Sequence, residues 1–266
     1  MSALAQRLSA ARAEGRAALI AYLPVGYPSV PGSIAAMQAV VAAGADVIEV
    51  GLPYSDPVMD GPVIQRAAQQ ALAAGVRVRD VFTAVRAVVD AGAVAVVMSY
   101  WNPVLRYGVD TFARDLAAAG GSGMITPDLI PDEAQPWLEA SQTHGLDRIF
   151  LVAPSSTEAR LSMTVQACSG FVYVASTMGV TGVRSQVGTG AGELIRRTRA
   201  VTDLPLCVGL GVSTGEQAAQ VAAYADGVIV GSALVKAMDS APDGDLGALS
   251  ALTADLARGV RAGSAT

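Results

Sequence analysis

The sequence predicts an α/β fold, a closed (β/α)8 barrel with additional helices, and three observations carry that expectation. Short β-branched runs alternate with alanine-rich helical stretches from end to end, as in a parallel sheet with crossover helices. Eight such runs recur at near-even spacing, which favours a closed barrel over an open doubly wound sheet. The 266 residues, 52% of them hydrophobic, suit one large core, and no linker or low-complexity segment divides it. A single domain over residues 1–266 is expected.

The strands are read in order as AALIAYL (17–23), DVIEVG (46–51), AVAVVMS (93–99), GMIT (123–126), RIFLVA (148–153), FVYVAS (171–176), LPLCVG (204–209) and DGVIVG (226–231). This is the strand count of a TIM barrel. The likeness of DVIEVG to DGVIVG hints at half-barrel repetition. A helix over 3–14 could cap the barrel floor, VRDVFTAVRAVVDAG (78–92) adds a further helix after strand two, and 244–261 forms a terminal helix with a frayed GSAT tail. The segment TMGVTGVRSQVGTG (177–190) is long and carries four glycines, a composition suited to a lid or binding loop.

Composition excludes several chemistries. Net charge is −5, the isoelectric point is near 4.9, and there is no basic run of the kind that holds nucleic acid. No apolar run approaches the length of a membrane span, and MSALAQRLSAARAEGR lacks the charged-then-apolar order of a signal peptide, so a cytoplasmic location is expected. Cys168 and Cys207 form no C-x-x-C pair, and the one histidine, His144, precedes Gly145 at an expected helix C-terminus. Lys236, the single lysine, lies inside the helical stretch SALVKAMD. Histidine-based metal sites, Ser-His triads and a Schiff-base lysine at a strand end are therefore poorly supplied. Carboxylates, hydroxyls and backbone amides remain.

In a parallel barrel the site gathers at the C-terminal ends of the strands. Glu49 lies two residues before the end of strand two among Val47, Ile48 and Val50, where an inward carboxyl would be desolvated and its pKa raised. A buried ion pair with a barrel arginine is the structural alternative. Asp60, in a loop with Pro53, Pro57 and Pro62, is expected to be wetter and to stay ionised, so that two unequal carboxyls divide acid and base roles. Asp56 in the same loop is either a solvated turn residue or an interface charge. Late in the chain, VGLGVSTGEQ leaves strand seven through Gly209 and Gly211, and IVGSALVK leaves strand eight through Gly231 and Ser232. Loops there often hold phosphate on exposed amides, the alternative being glycine used for turn geometry alone. Tyr22, Tyr100 and Tyr173 fall on strands one, three and six or their ends, either lining a pocket or packing.

The stretch IEVGLPYSDPVMDGPVIQ (48–65) resembles the tryptophan synthase alpha subunit family, and YWNP (100–103), PDLIPDEA (127–134), GVTGVR (179–184), GLGVS (209–213) and GVIVGSALVK (227–236) extend the resemblance in order along the chain. Met59 stands where the family usually has alanine, Leu210 where phenylalanine is frequent, and DLIPDE is a shifted form of a family motif. The resemblance implies a TIM barrel that cleaves indole-3-glycerol phosphate to indole and glyceraldehyde 3-phosphate. It implies Glu49 as the acid at indole C3, Asp60 as the group that holds the indole N–H, Thr181 as a lid contact to Asp60 and Tyr173 as an orienting group. Gly182, Gly211, Gly231 and Ser232 match its phosphate-binding positions, and Asp56 and Pro57 belong to the loop expected to face a partner. That partner is a beta subunit, in an α2β2 heterotetramer, and pyridoxal phosphate is expected only there, with no cofactor and no metal in this chain. A stand-alone indole-releasing lyase, or a non-catalytic barrel that only activates a beta subunit, remains open at this point.

Overall fold

A computed structural model describes residues 1–175, 190–209, 211–239 and 244–263. Nine parallel strand segments form one sheet: β1 (Ala18–Pro24), β2 (Val47–Gly51), β3 (Val94–Met98), β4 (Gly123–Ile125), β5 (Asp147–Ile149), β6 (Leu151–Val152), β7 (Val172–Ala175), β8 (Leu206–Gly209) and β9 (Gly227–Val230). Their order is β5-β4-β3-β2-β1-β9-β8-β7-β6. The ninth segment corrects the expected single strand over 148–153, which is interrupted at Phe150. Below the break β5 pairs with β4, above it β6 pairs with β7, and the sheet closes through the chain itself. Tilted, staggered strands make this natural, because one short strand meets its two neighbours at different heights. The phosphate turns expected after strands seven and eight therefore follow β8 and β9.

Alternation along each strand separates two cores. Ile48 and Val50 of β2 pack outward in the large cluster shared with the helices, whereas Val47 joins Ile20, Val94, Val96, Ile125, Ile149, Phe171, Cys207 and Ile229 inside the barrel. Helix α1 (Ala3–Ala13) closes the floor as expected, because Leu4, Leu8 and Ala11 enter that inner cluster. Ser2 caps α1 by accepting the Ala5 N–H and also donates to Asp147 at the foot of β5. Helices α3 (Pro62–Ala73) and α4 (Val78–Asp90) both follow β2, α5 (Trp101–Tyr107) follows β3, α10 (Gly215–Ala222) follows β8, α11 (Ser232–Asp239) follows β9, and the terminal helix α12 runs from Gly247 to Ala262 rather than from 244. His144 is the C-cap of α7 (Gln135–Thr143), and its ring pairs with Asp110 at 2.9 Å.

The likeness of DVIEVG to DGVIVG has a structural counterpart. Asp46, before β2, binds the Arg16 guanidinium through both oxygens at 2.7 and 2.9 Å and accepts the Leu19 N–H of β1 at 2.9 Å. Asp226, before β9, pairs with Arg199 at 2.5 Å and accepts the Leu206 N–H of β8 at 2.8 Å. Each aspartate thus fastens its own strand to the neighbour on one side. The difference is burial, with side-chain exposures of 8% and 6% for Arg16 and Asp46 against 37% and 20% for Arg199 and Asp226. Asp46→Ala leaves the buried Arg16 guanidinium to the exposed Glu14 carboxylate at 2.6 Å and the Ala17 carbonyl at 3.2 Å and removes the acceptor of the Leu19 N–H, and urea denaturation is expected to show a loss of about 3 kcal/mol. Asp226→Ala should cost clearly less, and equal losses would show that burial does not set the difference.

Candidate active site

The inward face of β2 carries Val47, Glu49 and Gly51 in succession. Glu49 is 1% exposed, and its Oε1 has no hydrogen-bond partner among the described residues. Burial pushes its pKa up to about 8, and no arginine among the described residues pairs with it, against the ion-pair reading. A buried acceptor without a partner costs stability and calls for a functional explanation. At neutral pH the group is mostly a protonated acid.

Asp60 differs from the expectation in one respect. The proline-stiffened loop folds back over the barrel mouth, so the carboxyl is half-buried and desolvation raises its pKa to about 6, opposed by a hydrogen bond from Tyr100. It is drier than its loop suggests and still mainly ionised at neutral pH. The Tyr100 hydroxyl also accepts the Met59 N–H at 3.1 Å, and Gln65 donates to the Asp60 carbonyl at 2.8 Å, which fixes the loop on both sides of the carboxylate. A buried proton donor and an ionised partner meet in one chamber.

Tyr22 and Tyr173 complete its walls. Tyr22 sits directly beside Glu49 in the β1–β2 register, and Tyr173 lies between Leu151 and Cys207. Burial first, then the neighbouring Asp60 and Glu49, holds both phenols well above their usual range, so they stay protonated. Three glycines make room for these rings. A Cβ on Gly51 would lie 2.5 Å from the Tyr22 hydroxyl, one on Gly231 would lie 3.2 Å from the Tyr22 ring, and one on Gly209 would overlap the Tyr173 hydroxyl. Sequence reasoning missed Gly51 and did not assign Gly209 this role. Glycine at an inward strand position is the signal that could have found both. It also missed Met98 and Leu151, partly buried side chains on the upper inner face that form an apolar rim.

Gly211 and Gly231 follow adjacent strands, and α11 begins at Ser232, which is 8% exposed. The first N–H groups of such a helix have no intrahelical acceptor and can meet an anion. Both glycines are also needed for geometry, Gly211 through its φ of 70° and Gly231 through the Tyr22 ring, so Ser232 is the residue that separates the two readings. Thr181, Gly182 and nearly all of the 177–190 segment lie outside the described residues, as do Leu210 and the end of the GSAT tail. Asp56 is exposed beside Ser55, Pro57 is half-buried, and Val58 is 69% exposed. Cys168 and Cys207 are buried free thiols. Among the described residues no group of His, Cys, Asp and Glu side chains could hold a metal ion, and no helix is long and apolar enough to cross a membrane.

This arrangement can be set beside known proteins. The family model described as tryptophan synthase alpha chain matches residues 8–261. The chain belongs to the tryptophan synthase alpha chain family. The family is one of lyases in tryptophan biosynthesis. The tryptophan synthase alpha chain of Mycobacterium avium is 65% identical over 260 residues, covering 98% of this chain and 95% of the relative. That of Thermobifida fusca is 61% identical over 267 residues, covering 98% and 99%. A solved structure of Mycobacterium tuberculosis tryptophan synthase superposes with a TM-score of 0.93 at 65% identity, covering 98% of each chain. The alpha-chain fold is thus the one that brings Glu49, Asp60 and the three tyrosines to a single barrel mouth.

The burial of Glu49 has a measurable cost in this alpha-family barrel. The folded chain keeps the Glu49 proton to about pH 8, whereas an ordinary glutamate releases it near 4.5. Between those values the folded state binds more protons, so stability falls as pH rises. Glu49→Gln removes this dependence: relative to its effect at pH 4, the variant should gain on the order of 3 kcal/mol by neutral pH. Urea titrations at pH 4, 7 and 8 check this, and a pH-independent difference would contradict it.

Proposed function

We propose that this chain cleaves indole-3-glycerol phosphate by a retro-aldol reaction to indole and glyceraldehyde 3-phosphate. One observation carries the reading: a buried protonated carboxyl whose Oε1 has no partner among the described residues, Glu49, shares the neighbours Tyr22 and Tyr173 with an ionised one, Asp60, in a barrel of this family. Glu49 donates its proton to C3 of the indole ring. The resulting indolenine C=N⁺ is the electron sink, a role that a Schiff-base lysine or a metal fills in other retro-aldol enzymes. Asp60 accepts the indole N–H and stabilises the positive charge that develops there. Glu49, now a carboxylate, takes the proton of the glycerol hydroxyl next to C3. The C–C bond breaks, its electrons restore the aromatic ring, and the aldehyde leaves. Met98 and Leu151 offer the ring an apolar rim, while Ser232 and the turns at Gly211 and Gly231 receive the phosphate.

The indole is passed to a beta subunit that makes L-tryptophan, in an α2β2 assembly whose pyridoxal phosphate resides in the beta subunit. The exposed Asp56 and Val58 and the exposed Leu105 of α5 present a mixed charged and apolar patch on the β2 and β3 side of the rim, suited to such a partner. The Tyr54–Asn102 pair borders the same side.

Incubating the purified chain with indole-3-glycerol phosphate, with and without a beta subunit, and following indole tests the reading directly. Indole without a partner argues against a purely activating barrel, and activation by the partner argues against a stand-alone lyase. Glu49→Gln and Asp60→Asn should each lower turnover at least about a hundredfold while the chain stays folded. Ser232→Ala should raise KM several-fold with little change in kcat, and an unchanged KM would leave the glycine turns as geometry only. A beta subunit should raise indole release at least about tenfold, or roughly 1.4 kcal/mol of barrier. That gain should shrink in Asp56→Ala.

A further inference from the structure

Asp60 lies in a loop, yet a carboxylate that stabilises developing charge must hold its orientation to a fraction of an ångström. Its support comes from outside the loop. Tyr100, 4% exposed at the junction of β3 and α5, accepts the Met59 N–H at 3.1 Å, and the same hydroxyl faces the Asp60 carboxyl and favours its ionised form. A single hydroxyl therefore holds the backbone before the carboxylate and the carboxylate itself. The Tyr100 ring is backed in turn by Tyr54, with ring centroids 5.3 Å apart and planes inclined by 32°. The Tyr54 hydroxyl accepts from Asn102 Nδ2 at 3.3 Å. Tyr54 and Asn102 belong to the wall of an open groove of about 370 Å³ that also includes Pro53, Ser55, Pro103 and Arg106.

We infer that Tyr100 is a positioning residue for Asp60, and that Tyr54 braces it so that displacement of Tyr54 from the groove side reaches the carboxylate through the two tilted rings. The inference rests on the proposed role of Asp60 and adds to it the means by which that role is kept. A one-sided brace is what a loop carboxylate needs. Turning Asp60 by its own side-chain torsions would break its bond to Tyr100, and moving the loop would break the Met59 bond as well. The Tyr100 hydroxyl can leave only if its ring moves, and Tyr54 blocks one direction of that motion.

The pH profile reports the hold. Among the described residues the groups that face Asp60 are Tyr22 from β1, Tyr173 from β7 and Tyr100, with Glu49 next to Tyr22 and Tyr173, and no arginine or lysine is among them. The three phenols are raised above their ordinary range by burial first and stay protonated through neutral pH. The acid limb of turnover therefore belongs to Asp60 and the alkaline limb to Glu49. Tyr100 favours the ionised form of Asp60, so losing its hydroxyl moves the acid limb upward.

The experiment uses the full chain and its indole release, with Asp60→Asn as the reference for complete loss. Tyr100→Phe is expected to lower kcat about tenfold, to change KM less than about threefold, and to shift the acid limb up by about one pH unit. Tyr54→Ala should shift the limb in the same direction by less, Tyr54→Phe should restore it because the ring remains, and Tyr54→Ala should add nothing in a Tyr100→Phe background. An unchanged limb and near-normal kcat in Tyr100→Phe would overturn the assignment, and full additivity of the two changes would overturn the brace. If Tyr100→Phe does not fold, the limb shift in Tyr54→Ala decides: a shift supports the inference and its absence overturns it. A wild-type chain that releases no indole, alone or with a beta subunit, would sink the proposed reaction instead. The ¹³C titration of the Asp60 carboxyl in wild type and Tyr100→Phe would then still test the hold.

Discussion

A single carboxyl buried without a counter-charge is the constraint around which this barrel is organised. Glu49 occupies an inward position on a central strand, 1% exposed, and no cation among the described residues pairs with it. Such a group destabilises the folded state as pH rises, and the rest of the molecule must outweigh it. The inner core beneath it, plugged by Leu4 and Leu8 of α1, and the outer core between sheet and helices supply that surplus. The strand position matters as much as the burial. A β-strand fixes the direction of its side chains, so the acid cannot swing toward solvent to recover its charge.

The second carboxyl follows the opposite logic. Asp60 remains mainly ionised at neutral pH, since a loop at the mouth lets it keep part of its hydration and the Tyr100 hydroxyl favours the charged form. Placing one carboxyl on a strand and the other on a loop separates their proton affinities. The loop's weakness is mobility, and prolines, the Gln65 contact and the Tyr100–Tyr54 pair offset it from three sides.

Tyr22 ties the two functional halves together. Its hydroxyl fits over Gly51 on the acid-bearing strand and its ring lies against Gly231 at the start of the β9 turn. The residues suited to an aromatic ring and those suited to a phosphate thus share one wall. Substitution at any of these glycines would move a ring before it altered a ligand contact, which is why glycine replacements report on phosphate poorly and Ser232 reports on it better.

Much of this was legible in the chain itself. Alternation of β-branched and alanine-rich segments determined a parallel barrel, because strand and helix periodicities are local properties, and the motif around Glu49 and Asp60 located the two carboxyls and their family. The raised proton affinity of Glu49 was legible only on condition that it faces inward, a direction that apolar neighbours on both faces of the strand left open. Other features depended on closure. The break at Phe150 arises because one strand must serve two neighbours at different heights, a condition that no local pattern encodes. The dryness of Asp60 was misjudged for the same reason: a loop's composition describes its flexibility, whereas hydration depends on the surface that the loop is folded against. Gly51 read as an ordinary strand end and Gly209 as part of a candidate phosphate turn until Tyr22 and Tyr173 were brought across them, and Tyr100 met the loop of Tyr54 and Asp60, about forty residues earlier, only through contact. Burial, electrostatic neighbourhood and steric fit are properties of pairs of residues distant in sequence, and tertiary structure alone decides which pairs meet.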